Sequence, residues 1–178
     1  MVMLRQQSQT PEDEARLNVL LTVDRQRASG HWSRQLPRLL GPQGVRAFVA
    51  ETGQEAVRMA GSIQIHTALV DLATPTGHEL GRGSSGGLPG GIWLLEVLRR
   101  LPSRPAVVVV NNLISYSPKQ AQRFLNEALR LGAFTVMNTP IDIEALLVVI
   151  RRIVDRHFQG QWPISSVDER APSNGPEL

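Results

Sequence analysis

Two aspartates stand where they could do chemistry. Asp71 closes the apolar run of HTALVDLATP, with Pro75 four residues further on, and Asp24 closes NVLLTVD, Asn18 to Asp24. Both runs are short, apolar and bounded by polar residues, the pattern of a buried strand. A carboxylate at the C-terminal end of such a strand sits where open α/β sheets place their ligands. Two carboxylates at one sheet edge would make a small anionic site, able to hold a hard cation or accept a phosphoryl group. A plainer account competes with this: aspartates at strand ends often cap a turn with their own side chains and do no chemistry. The elements that carry the two residues, and the neighbours they bring, must decide.

The 178 residues, 42% apolar and 20% charged, suit one globular domain and not a disordered chain. Strand-like runs fall at Asn18 to Val23, Val45 to Ala50, His66 to Asp71, Ala106 to Val110 and Phe134 to Met137. Helical periodicity covers Ala28 to Leu40, Gln54 to Ala60, Ile92 to Arg100, Lys119 to Leu131 and Ile143 to His157. This alternation predicts a doubly wound α/β fold, a parallel five-stranded sheet with helices on both faces. Ala106 to Val110 (AVVVV) is apolar at every position, as a central strand covered on both sides must be. The domain is expected over residues 17–158, after a flexible lead-in (1–16) and before a flexible tail rich in Pro, Ser and Gly (159–178).

Composition removes several classes of function. No apolar run approaches the roughly eighteen residues of a membrane span, and the N-terminus lacks a signal-peptide pattern. Zero cysteines exclude disulfides and thiolate metal sites, and suit a cytoplasmic protein. Net charge is only +3, Lys119 is the single lysine and the arginines are scattered, so nucleic acid is not an expected partner.

The order of these elements resembles the receiver domain of bacterial response regulators, a flavodoxin-like (βα)5 fold, from about Leu17 to Phe158. Gly132 to Ile150, GAFTVMNTPIDIEALLVVI, is similar without a gap to the family's GADDYLTKPFDLEELL pattern. HTALVDLATP matches the family's third strand. The resemblance implies that Asp71 holds the position of the phospho-acceptor. It also implies Mg²⁺ bound by acidic residues after strand one, a lysine before the strand-five proline, and a hydroxyl after strand four. Such helpers are needed because phosphoryl transfer to a carboxylate depends mainly on neutralising charge.

Most helpers are replaced in this chain. Asp24 keeps the first acidic position, but the next, where the resemblance implies the direct metal ligand, is Arg25. At about 4 Å and an effective dielectric near 20, a unit charge pair is worth about 4 kcal/mol, so this exchange turns attraction into repulsion. Mg²⁺ at Asp24 and Asp71 is therefore expected to be weak, and no other metal or cofactor is expected. Arg25 could equally pair with Asp71 or Asp24 and keep the site neutralised. The lysine position falls on Thr139, before Pro140. The hydroxyl position falls on Asn111 (a one-residue shift would put Val110 there), and the aromatic switch position on Val136. This is the pattern of a degenerate, or pseudo-, receiver.

Other motifs carry less. Gly81 to Gly86, GRGSSG, matches GxGxxG literally, but lies some ten residues past its strand and runs into Gly87 and Pro89, so a flexible loop explains it better. His78-Glu79 would need a second histidine where Arg82 stands to resemble a zincin helix. His31, His66 and His157 form no ligand set; His157 ends the last helix, where a cationic side chain suits the dipole. Two loops, 76–91 and 111–118 (NNLISYSP), are longer than the family pattern and flank the Asp71 edge.

The final helix carries an unbroken apolar run, Ala145 to Ile150. At about 100° per residue, Leu146, Val149, Ile150 and Ile153 share one buried stripe, leaving Leu147 and Val148 to face away. These two are the expected interaction surface, for a homodimer through the last helix or for a partner. The resulting expectation is a stand-alone, non-enzymatic receiver-like module of a two-component or phosphorelay pathway. It would act by protein–protein interaction with a histidine kinase or a downstream effector, without conventional Mg²⁺-dependent phosphorylation. Beyond Phe158 no DNA-binding effector is expected. A genuine phospho-acceptor at Asp71 with an atypical metal site is the alternative, and an enzyme of another class on this fold is the third.

Overall fold

The computed structural model describes residues 17–23, 31–77 and 89–158. Strands β1 (Leu17–Thr22), β2 (Val45–Ala50), β3 (Thr67–Asp71), β4 (Ala106–Asn111) and β5 (Thr135–Asn138) form one sheet of order β2-β1-β3-β4-β5. Every pairing is parallel. Helices α1 (His31–Leu40), α2 (Gly53–Ser62), α3 (Gly90–Arg99), α4 (Pro118–Arg130) and α5 (Ile143–His157) connect or follow the strands. The expected doubly wound α/β fold is what forms. The expected flexible segments at 1–16 and 159–178 lie outside the described residues, as do Asp24, Arg25, His78, Glu79 and GRGSSG.

Alternation along the central strands divides the core in two. Leu20 of β1, Ala68 and Val70 of β3, and Val107 and Val109 of β4 face one cluster, packed against Ala56 of α2, Ile92 and Leu98 of α3, and Phe124 of α4. Val19, Leu21, Leu69, Val108 and Val110 face the other, packed against Leu36 and Leu40 of α1 and Leu146, Ile150 and Ile153 of α5. A strand with both faces covered has no polar positions to offer, which is why β3 and β4 read as continuous apolar runs.

Among the described residues, element boundaries differ from the periodicity by a residue or two, at strand ends and at both ends of helices. A first turn is chosen by caps and small residues, which an apolar period does not register. The Thr52 side chain accepts from Glu55 N at 3.2 Å ahead of α2. Ser117 and Gln120 form a reciprocal capping box ahead of Pro118. Along α5, Leu146, Ile150 and Ile153 are buried as expected, joined by Val154, whereas Val149 is only partly covered. Val148 is 50% exposed, but Leu147 packs in part against the second cluster instead of facing fully away. A side chain one position from a buried stripe can lean onto it, because long helical side chains are directed back over the preceding turn.

Candidate functional site

The C-terminal edge of the sheet is built around Asp71. Its side chain is almost wholly buried, 1% exposed. Its backbone N–H donates to Thr22 Oγ1 at 3.0 Å, tying the end of β3 to the end of β1. Thr22 Oγ1 lies in turn 2.9 Å from Thr74 Oγ1, so the two hydroxyls share a hydrogen bond. The carboxylate is engaged at both oxygens. Ala73 N–H donates to Oδ1 at 2.8 Å, and Asn112 Nδ2 donates to Oδ2 at 3.1 Å. Burial of a carboxylate is tolerated only when its lone pairs are satisfied in this way.

The segment after Asp71 is clamped from two sides. Gly53 N and Gln54 N, in the first turn of α2, donate to Pro75 O at 2.8 Å and Thr76 O at 2.9 Å. On the other side α3 begins against the same backbone, with Gly91 N donating to Leu72 O at 3.3 Å. This approach requires glycine: a Cβ on Gly91 would lie 2.5 Å from Leu72 Cα and 2.7 Å from Asp71 O.

The other positions singled out in the sequence distribute around this centre. Asn111 ends β4 opposite Asn138, and its Nδ2 donates to Asn138 Oδ1 at 2.9 Å, across to β5 and not to Asp71. Its neighbour Asn112, 3% exposed, is the amide that reaches the carboxylate. The doublet in NNLISYSP was the available signal; choosing between its members needed the geometry of the strand end. Thr139 Oγ1 donates to Asn111 O at 3.3 Å, so the residue at the lysine position braces β5 against β4. The Thr139–Pro140 peptide is cis. Val136 pairs with Val109 in the middle of β5 and packs partly on the first core cluster. Leu147 and Val148 lie on α5, apart from Asp71.

His66 and His157 do not join this edge. His66 immediately precedes β3; its Nδ1 accepts Asn18 N–H at 2.8 Å and its ring meets Phe158 edge-on. Burial lowers its pKa below the usual imidazole value. His157 stacks obliquely between Phe134 and Phe158.

No protein-family model matches the chain, and no curated protein matches it. Solved structures do. A CheY-like response regulator receiver domain from Methanospirillum hungatei JF-1 superposes with a TM-score of 0.62 at 19% identity, covering 81% of this chain and 98% of that one. The receiver domain of a Francisella response regulator gives 0.57 at 20% identity over 79% of this chain and 98% of that one. A two-component response regulator from Clostridium difficile gives 0.58 at 15% identity, covering 79% and 98%. The fold is that of a receiver domain.

The sequence resemblance implies Mg²⁺ beside Asp71, and the donor set can be tested for it. Magnesium requires near-octahedral oxygen ligation with one or two carboxylates. Among the described residues no group of three or more His, Cys, Asp or Glu converges. At the centre of the edge the described residues place the Asp71 carboxylate, with both oxygens already hydrogen-bonded, and two threonine hydroxyls that share a hydrogen bond. The described residues of this receiver fold do not fit the ion.

Proposed function

We propose that the chain is a receiver-like signalling module of a two-component type of pathway, acting through a protein partner without Mg²⁺-dependent phosphorylation. The solved structures it resembles are described as response regulators or their receiver domains, which supports a histidine kinase or a downstream effector as the partner class. The observation that carries the reading is the state of Asp71, whose two carboxylate oxygens are held by Ala73 N–H and Asn112 Nδ2. Hydrogen bonds to a charged group contribute about 1.5–3 kcal/mol each, so a phosphoryl group entering at Oδ2 must first displace a sizeable interaction. It would then meet a threonine hydroxyl at position 139 in place of a fixed cation, and that hydroxyl already serves Asn111. Arg25, at the ligand position of the sequence pattern, adds repulsion toward a divalent ion.

The alternative, a phospho-acceptor with an altered metal site, is favoured by one observation: Asp71 ends the central strand β3, and the sequence resemblance implies the acceptor at this residue. Incubation with acetyl phosphate or beryllium fluoride plus Mg²⁺, followed by intact mass and amide NMR shifts, separates the two. The expected result is an unmodified mass and unchanged amides from Asn111 to Pro140. Modification at Asp71 would establish the alternative. Arg25→Asp should recover measurable Mg²⁺ binding, and submillimolar affinity in the unaltered protein would contradict the charge argument.

A further inference from the structure

Three arginines gather at the opposite end of the sheet. A concavity of about 240 Å³ is lined by Arg99, Arg104 and Arg130 together with Leu95, Val107 and Leu131. Val107 is the second residue of β4 and Asn112 follows its last. At roughly 3.3 Å per residue, the concavity is therefore roughly 16 Å from the Asp71 edge along that strand. It is independent of the reading of Asp71.

Its charge is one-sided. Among the described residues no carboxylate lines it. Among the described residues neither Arg99 nor Arg104 pairs with a carboxylate, whereas Arg130 is gripped by Glu127 through Nε at 2.9 Å and Nη2 at 2.7 Å. Glu96 and Arg123, within electrostatic reach of that pair, are of opposite sign.

Arginines at helix C-termini have an ordinary role, since a cation there complements the helix dipole. Arg99 and Arg130 do end α3 and α4. Arg104 belongs to neither helix, and the Arg130 fork is spent on Glu127. With each helix end counted as about half a negative charge, the concavity still retains about one positive charge. Guanidinium groups present paired donors that match phosphate and carboxylate oxygens. The volume is below the roughly 300 Å³ at which ordinary ligand pockets begin, which suits a small anion with a compact body.

We propose that this concavity binds a small phosphomonoester, with the phosphate held by Arg99 and Arg104 and the apolar body resting against Val107 and Leu131. The test is a titration of the full chain with phenyl phosphate and, separately, inorganic phosphate, following the amide shifts of Val107, Leu131 and Gly132. Phenyl phosphate is expected to give saturable shifts in the millimolar range or below, with inorganic phosphate several-fold weaker. Arg104→Gln should weaken binding about tenfold, the loss of one charge-assisted contact of about 1.4 kcal/mol. The pair Arg99→Gln and Arg104→Gln should abolish it while leaving the far-UV spectrum and the Asp71-edge amides unchanged. Absence of saturable shifts, or shifts that survive in the doubly substituted protein, would overturn the site. Equal binding of the two probes would overturn the apolar contact. Tighter binding of a phosphotyrosyl tetrapeptide than of phenyl phosphate would replace the small-molecule ligand with a protein segment.

Discussion

Asp71 and Asn112 define the chemistry at the scale of single residues. The buried carboxylate is stabilised by a main-chain N–H at one oxygen and a side-chain amide N–H at the other. Removing the amide takes a hydrogen-bond donor from Oδ2 in a site where both residues are almost wholly buried. Asn112→Ala should therefore destabilise the protein by about 1–3 kcal/mol, read as a lower urea midpoint at unchanged slope. Asn112→Asp tests the same contact by sign. Two carboxylates in hydrogen-bond range raise the folded-state pKa of the pair above the unfolded value near 4. The folded state then holds a proton that the unfolded state has lost, so stability is present at low pH and lost as pH rises. Relative to the unaltered protein, this variant should be weakened more at pH 7 than at about pH 4. An unchanged difference across that range would show that the two side chains are not in contact.

Helices α2 and α3 set the element scale, because their first turns hold residues 72–76 in place behind Asp71. Gly90 and Gly91 are the closest points of the α3 side of that contact. Gly91→Ala would drive a Cβ into Leu72 Cα and the Asp71 carbonyl, backbone atoms that cannot rotate away. The cost should reach about 1–3 kcal/mol, as for other overpacked sites, although alanine is the better helix former. Gly61, which has open space around its would-be Cβ, is the control: Gly61→Ala should be neutral or slightly stabilising. On α5 the two candidate surface residues are expected to part company. Val148→Asp should change stability by less than about 0.5 kcal/mol, whereas Leu147→Asp should cost more because its side chain touches the core. Loss of partner or dimer binding in Val148→Asp alone would place the interaction surface on this helix. Retention of binding would remove it.

The whole molecule is joined at its N-terminal edge by His66, which links β1, β3 and the end of α5. Its Nδ1 accepts Asn18 N–H, an interaction available only to the neutral ring, and burial lowers its pKa. For a base with a depressed folded pKa, the unfolded chain takes up the proton first as pH falls. The stabilisation is fully present above the unfolded value of about 6.5 and is lost as pH falls toward the folded one. Urea midpoints should thus decline between about pH 7 and pH 5, and His66→Gln should flatten that decline. A profile unchanged by the substitution would assign the acid sensitivity to other groups.

The element order was legible in the chain because burial on both faces of a parallel sheet leaves only apolar residues, and amphipathic helices repeat with a different period. HTALVDLATP therefore places Asp71 at a strand end, while Thr139 is located only by the resemblance of NTPIDIEALL to the family pattern. What the sequence could not decide begins where those periods stop. One residue beyond β4 the alternation no longer binds, and whether Asn111 or Asn112 turned toward the carboxylate depended on β5 supplying Asn138 as the competing partner. Gly91 read as part of a glycine-rich loop, since a close approach of α3 to β3 is a contact between segments separated by a loop and has no local signature. Leu147 was assigned by angle alone, and only packing against the second cluster showed that it is partly covered. Local spacing encodes which residues share a face. Long-range contact, set by how neighbouring elements compete for the same atoms, decides what each side chain does there.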